Sequence, residues 1–264
     1  MDNTPFIQVP AIYFAIPYFL ILVLFNWFGF RYKKNQVKKY PDLEPAGLGA
    51  TEGALLGLMA LLLSFSFGMS AAKFDTRRQL IIEEANDIGT AILRCDLYPD
   101  SVRTILRADF KNYLESRITY YEVGDDPGKI QTTLKQSDSI SAICWKRVSA
   151  FSHNPNSLVM TAQMVPALNA VIDIVTTREA SRKNVVPRLI IIVLGLLTLI
   201  SSFLAGYGSK GHERNLVLVI AFALMTTMAL YLVLELDRPR QGYINLNQAE
   251  QMMVNLRSNF VGNK

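Results

Sequence analysis

The chain has 264 residues, half of them apolar, and a formal net charge of +5, with its apolar residues gathered in long blocks rather than at the spacing of a soluble core. The lysines and arginines stand mostly beside those blocks, where membrane topology and lipid headgroups account for them, and no pattern of aromatic and basic residues points to nucleic acid. Two cysteines, Cys95 and Cys144, are too few to make a metal site alone; buried free thiols are expected, a disulfide being the alternative in an oxidising compartment.

Residues 11–30, AIYFAIPYFLILVLFNWFGF, form the first predicted membrane span, with Pro17 inside it and Trp27, Phe28 and Tyr32 at the interface. No basic residue precedes the run, it is long, and no small-residue cleavage site follows, so it reads as a span and not a signal peptide. The connector from Arg31 to Glu44 carries Arg31, Lys33, Lys34, Lys38 and Lys39, which by the positive-inside rule makes it cytoplasmic and puts the middle of the chain outside. Lys73, Arg77, Arg78, Arg182, Lys183 and Arg188 flank the membrane on the opposite side and, counted in full, favour the reverse.

The second span, 48–72, has one ionisable residue, Glu52, and is long enough to cross a core of ~30 Å at about 1.5 Å per residue. Gly49, Gly53, Gly57, Ala60, Ser64 and Gly68 recur at helical spacing, a ladder that lets another backbone approach closely. Gly49, Gly53, Ala60 and Gly68 are the candidate packing residues. Glu52 lies near the first turn, where the helix dipole and headgroup water stabilise a carboxylate; an ion-entry role is the alternative. Ser64, Phe65, Ser66 and Phe67 can pack or can line a conduit, with Phe65 or Phe67 as a constriction that gates by dewetting. The candidate pore-lining set is therefore Glu52, Gly57, Ser64, Phe65 and Phe67. A lone helix encloses nothing, so a conduit requires a homo-oligomer.

The insert, 73–184, is expected to be a helical bundle. Phe74, Ile81, Ala85, Ile88, Ile92 and Cys95 make a heptad-like seam, with Glu83, Glu84 and Asp87 read as the wet face of the same helix; cation binding by several copies on an axis is the alternative. Pro99 stops this helix, and Asp100 or Ser101 caps the next, whose apolar side carries Val102, Leu106, Phe110, Tyr113, Leu114 and Tyr121. Gly124 to Asp126 form a turn, Pro127 opens a third helix burying Ile130, Leu134, Ile140, Cys144, Val148 and Phe151, and a fourth from Asn154 and Pro155 carries Leu158, Ala162, Val165, Leu168, Ile172 and Val175. Four antiparallel helices return the chain to the surface it left.

The third and fourth spans are 185–207 and 216–236, with Arg188 snorkelling from the third. Asp237, Arg238 and Pro239 end the fourth. The tail, 237–264, closes with a small helix whose Asn247 and Glu250 match a capping box ahead of Met252, Met253, Leu256 and Phe260. The domain reading is thus 1–72, 73–184, 185–236 and 237–264.

No phosphate-binding loop, nucleophile elbow or paired-cysteine motif occurs, and His153 and His212 stand alone as solvated loop histidines. No catalytic residue, cofactor or metal site is expected, and the chain does not read as an enzyme.

The segment GATEGALLGLMALLLSFSFGMSAAKFDTRRQLIIEEANDIGTA and the stretch LDRPRQGYINL resemble the bacterial bestrophin-like domain family, most specifically in Arg77, Arg78, Gln79 with Glu83, Glu84, Ala85, Asn86, and in Asp237, Arg238, Pro239. The resemblance covers nearly the whole chain. It implies an all-α multi-pass protein of the bacterial cytoplasmic (inner) membrane, with four spans and a bundle inserted between the second and third. Bestrophins are pentameric anion channels whose second membrane helix lines the pore, so it also implies pore lining by the Gly57, Ser64 and Phe67 side. Bestrophins hold their insert in the cytoplasm, opposite to the side given by the first connector. The expected function is an oligomeric conduit for small anions, with a non-conducting sensor or scaffold whose insert binds a partner as the rival.

Overall fold

A computed structural model describes residues 11–40, 49–209, 214–238 and 242–260. Its helices are α1 (Ile12–Lys39), α2 (Gly49–Arg94), α3 (Asp100–Glu122), α4 (Pro127–Ser152), α5 (Leu158–Lys183), α6 (Arg188–Tyr207), α7 (Leu216–Asp237) and α8 (Asn247–Asn255), and no strand occurs among the described residues. Four helical stretches are long and apolar enough to cross a membrane: Ile12–Lys39, Gly49–Leu97, Pro155–Tyr207 and Leu216–Asp237. The chain forms two compact units, a membrane unit of residues 1–73 with 185–244 and a bundle unit of residues 74–184 with 245–264. The tail is thus divided between them, and α2 runs unbroken from the first into the second.

In the membrane unit α1 does not stop at Phe30. It continues to Lys39, so the basic part of the expected connector is helical, with Lys38 and Lys39 in the last turn where cations complement the helix dipole. Contact between α1 and α6 rests on two glycines: a Cβ on Gly29 would strike the carbonyl of Phe203, and one on Gly206 the carbonyl of Asn26. At that approach polar groups bond across the helices, since hydrocarbon offers no water to satisfy them. Asn26 Nδ2 donates to the Ser202 carbonyl (3.1 Å), the Ser202 hydroxyl donates to the Leu22 carbonyl (2.7 Å), and the Tyr18 hydroxyl donates to the Gly195 carbonyl (3.0 Å).

The third span starts three residues later than expected. Val185 to Pro187 are not helical, because a residue before proline is pushed out of the helical region and Pro187 itself suits a helix start. The backbone N–H of Val186 instead donates to both carboxylate oxygens of Asp237 (3.0 and 3.2 Å). Two residues earlier on α7, buried Glu235 accepts from the N–H groups of Tyr243 and Ile244. Asp237 ends α7; Pro239, like Gly47, Leu48 and His212, lies outside the described residues.

The bundle unit buries Ala85, Ile88, Ile92 and Cys95 of α2 and its short extension against Leu106, Phe110, Tyr113 and Leu114 of α3, Cys144 and Val148 of α4, and Met164, Leu168 and Val171 of α5. Asp126 caps α4, accepting from the N–H groups of Gly128 (2.9 Å) and Lys129 (3.2 Å), and Gly124 supplies the left-handed turn before it (φ 63°). Three local expectations are corrected. Asp100 is inside α3 and pairs with Arg103 (2.6 Å) while Pro99 occupies the cap position. Leu158 and Ala162 are exposed, while Leu168 and Val175 of the expected side are buried and Val165 and Ile172 partly so; the buried face of α5 is completed by Met164, Ala167, Val171 and Ile174. Asn247 is inside α8, whose cap residue, Leu246, makes no side-chain cap bond, so the capping box does not form.

The end of the tail is part of this bundle. Met253 is fully buried in its core, with Leu256 and Phe260 against it, while Met252 points out. Arg257 binds Glu115 of α3 (2.6 and 2.8 Å), and Arg107 joins the Asn259 carbonyl (3.2 Å) to Asp96 (3.0 Å). His153 is exposed, its Nδ1 2.8 Å from the Ser149 carbonyl oxygen.

Candidate functional site

The membrane half of α2 has two unlike faces. Met59, Ser66 and Ser70 are buried, with Leu55, Leu56, Leu62 and Leu63 beside them, whereas Gly49, Gly53, Gly57, Ala60, Ser64 and Gly68 are exposed. A Cβ on Gly49, Gly53, Gly57 or Gly68 would meet nothing within 4 Å. Among the described residues nothing covers the ladder, which is an open stripe on the single subunit. Phe65 (63 % exposed) and Phe67 (44 %) are also on the surface, but positions two apart on a helix point about 160° from each other, and only Phe67 borders the ladder. Glu52 is set apart from this face. It is half-buried, and its carboxylate lies where a Cβ on Gly208, just beyond α6, would sit.

In the bundle unit the acidic run of α2 is not a uniform wet face. Glu83 is exposed, but Glu84 is fully buried, and this corrects the sequence reading. Arg117 of α3 donates to Glu84 Oε1 (2.5 Å), while Arg178 of α5 and the Tyr121 hydroxyl (3.0 Å) both donate to Oε2. The two guanidinium groups are stacked on aromatic rings, Arg117 over Tyr120 (4.5 Å) and Arg178 over Tyr121 (4.7 Å). The Tyr120 hydroxyl extends the network to Glu179, which also holds Arg182 (2.9 Å). One carboxylate thus ties three helices together.

Burial by itself would raise the Glu84 carboxyl out of its ordinary range, but the charges and hydrogen bonds of Arg117 and Arg178 outweigh it and hold the group below that range. For Arg117 burial disfavours the cation, and Glu84 more than reverses that. Asp87, without such a partner set, is pushed up by burial and by the charges of Glu83 and Glu84. Arg77 is buried as well and donates to the carbonyls of Ser181 (3.4 Å) and Asn184 (3.1 Å) at the end of α5. Among the described residues no group of three His, Cys, Asp or Glu is placed to hold a metal ion.

The sequence does carry a signal for the burial of Glu84. Glu84 follows Ile81 by three and precedes Ile88 by four, so it occupies the seam itself. Arg117 is in phase with Phe110 and Leu114, and Arg178 with Val171 and Ile174. Charged residues in phase with an apolar stripe on three different helices are expected to meet.

Cys95 and Cys144 are free and fully buried in the bundle core, where burial pushes both thiols up to about 12. A thiol at that value carries almost no nucleophilic thiolate at neutral pH. The folded protein is expected to leave both unmodified by a maleimide over an hour at pH 7 and to take up two labels on denaturation, read by intact mass. Labelling of the folded protein would show that this core opens.

A family model for the bestrophin-like domain matches residues 42–250, most of the chain. No curated protein sequence matches significantly. Among solved structures, the chain is similar to a bacterial bestrophin homolog from Klebsiella pneumoniae carrying a single substitution, at 14 % identity and a TM-score of 0.72 over 94 % of this chain and 98 % of that one. It is similar also to the structure of the Klebsiella pneumoniae homolog solved by Zn-SAD phasing, at 13 % identity and a TM-score of 0.69 over 92 % and 98 %. At such identity the likeness establishes the fold: an all-α multi-pass membrane protein with four spans and a helical bundle between the second and third. With the family model covering most of its length, the chain belongs to the bestrophin-like domain family.

Proposed function

We propose that the protein is an oligomeric membrane channel for small anions, with the ladder face of α2 turned to the axis. Membership of a family whose bestrophin relatives are oligomeric anion channels supports the coarse part of this reading. The observation that carries the finer part is the uncovered stripe of Gly53, Gly57, Ala60, Ser64 and Gly68. A glycine-rich face exposes backbone, costs helix stability and is of use only where something approaches closely, either copies of the same helix or an ion in a narrow passage. Ser64 offers the hydroxyl and Phe67 the ring at the edge of that stripe, while Phe65 faces elsewhere. Glu52 is assigned to the interface end of α2 rather than to the passage.

A scaffold whose insert binds a partner would need an apolar seam or a charged face of the insert left open to that partner. Ile81, Ala85, Ile88 and Ile92 are spent inside the bundle, and Glu84 is enclosed, so little of that surface remains to offer a partner.

The test is ion flux through purified protein in liposomes, with particle symmetry from the same preparation. Phe67→Ala is expected to raise anion flux severalfold with assembly unchanged, because removing the ring widens a dewetted constriction. Phe65→Ala is the matched control with little effect. Unaltered flux in a well-folded Phe67→Ala ring, or a sealed assembly that passes no ions, would overturn the assignment.

A further inference from the structure

The outer face of α1 changes character along its length. At about 100° per residue, the buried positions Leu22, Asn26 and Gly29 fall on one side of the helix, and Ile16, Leu20, Leu24 and Trp27 fall on the other, all exposed. The same side continues beyond the apolar run as Arg31, Lys34 and Lys38, also exposed. Arg31 is stacked on Trp27, its guanidinium carbon 5.3 Å from the ring centroid. No Asp or Glu occurs between Arg31 and Lys39, and among the described residues no carboxylate pairs with Arg31, Lys34 or Lys38. Lys33, on the buried side, is the contrast: it donates within the subunit, to the Ser209 carbonyl.

The order along this stripe is that of a phospholipid. The run 11–30, at about 1.5 Å per residue, matches a hydrocarbon core of ~30 Å, which puts Ile16, Leu20 and Leu24 at the depth of an acyl chain and Trp27 where the chain meets the headgroup. Arg31 and Lys34 follow within the roughly 5–7 Å of headgroup layer, and Lys38 stands about 6 Å further out. Cations so close together, with no acid among them, are complementary to a phosphate, and the planar fork of Arg31, steadied by Trp27, matches two phosphate oxygens at once. We infer that the stripe is a binding site for an anionic phospholipid, whose phosphate lies between Arg31 and Lys34 and whose acyl chain lies along Ile16, Leu20 and Leu24. In such a site position around the helix counts, whereas a diffuse attraction to the membrane surface weighs every nearby cation alike. Lys39, beside Lys38 but about 100° further round, is off the stripe. The site is separate from the ladder face of α2 and stands whether or not the protein conducts.

The test is photolabelling of the full-length protein in phosphatidylcholine liposomes that carry, as a minor component, a phosphatidylglycerol with a diazirine in its acyl chain, the labelled residues being located by peptide mass spectrometry. Labels are expected to concentrate on residues 16–24, at least about fivefold above those left by a phosphatidylcholine with the same chain. Lys34→Gln, which keeps the stem and removes the charge, is expected to cut that labelling by about fivefold, the worth of one basic residue near an anionic surface, and Lys39→Gln by less than about twofold. Excess inorganic phosphate at matched ionic strength is expected to leave the labels in place, because it brings no acyl chain. Equal losses in Lys34→Gln and Lys39→Gln would mean diffuse attraction, displacement by phosphate would mean a soluble anion, and equal labelling by the two lipids would mean bulk contact with the bilayer; each would overturn the site. So would near-complete disulfide pairing of copies through Leu20→Cys, since a second subunit would then cover the stripe.

Discussion

Replacing Glu84 by alanine is expected to destabilise the bundle unit by about 3–5 kcal/mol, the cost of removing one partner from a buried ion pair. The magnitude follows from what remains. Arg117, fully buried, would keep its charge with the carboxylate that pairs it gone, and Arg178 and the Tyr121 hydroxyl would lose the same acceptor. For a unit of this size that corresponds to a fall in thermal midpoint of roughly 10 °C or more, measurable by loss of helical circular dichroism in detergent. Glu83→Ala, one residue away on the exposed side, is expected to stay within about 0.5 kcal/mol of the parent. An equal, small effect of the two changes would show that the network contributes nothing. Replacing all three charges together by apolar residues of similar size is a different case, in which nothing charged is left buried, and it is expected to cost far less than Glu84→Ala.

The same network fixes a pH dependence. The carboxyl of Glu84 is held below its unfolded value, so its contribution is complete at neutral pH and is lost as the pH falls through the depressed folded value. The contribution of this group is therefore expected to be lost only below the ordinary carboxylate range, read as a fall in thermal midpoint of the parent that Glu84→Ala does not show there, with no loss from this group as pH rises.

Replacing Gly206 by alanine is expected to break the contact between α1 and α6, the second large effect. The added methyl would fall on the carbonyl of Asn26, a backbone group that cannot rotate away, so the helices must separate. Separation stretches the bonds from Asn26 to the Ser202 carbonyl and from Ser202 to the Leu22 carbonyl, inside a span where no water replaces them. Overpacking in a well-filled core costs about 1–3 kcal/mol or more. Here the collision is with main chain, and a sharp loss of monodisperse protein on size exclusion is expected. Gly53→Ala and Gly57→Ala meet nothing in the subunit and are expected to leave its fold intact; an effect of either on subunit assembly or flux would belong to the uncovered face. Parental yield and melting for Gly206→Ala would contradict the geometry.

The difference between these glycines marks where reading from sequence alone runs out. Spacing makes Gly49, Gly53, Gly57 and Gly68 conspicuous, because they repeat on one helix, and that repetition is a property of one segment. Gly29 and Gly206 are single residues on two helices 177 positions apart; nothing local to either names the other, and only the packed structure pairs them.

The four spans, the helical insert, the seam of Ile81, Ala85, Ile88 and Ile92, and the helix start at Pro127 are legible in the sequence, because each depends on periodicity or chemistry within a few neighbouring residues. Tertiary structure decided the rest. It took Glu84 from a wet face to the centre of the bundle, because a carboxylate's environment is set by what the other helices bring to it, here Arg117 and Arg178. It moved the start of the third span to Arg188, through Pro187 and the reach of Asp237, and it drew Met253 of the tail into the core. Phase along one helix shows which residues share a face, but the identity of what covers that face is a long-range fact that only packing supplies.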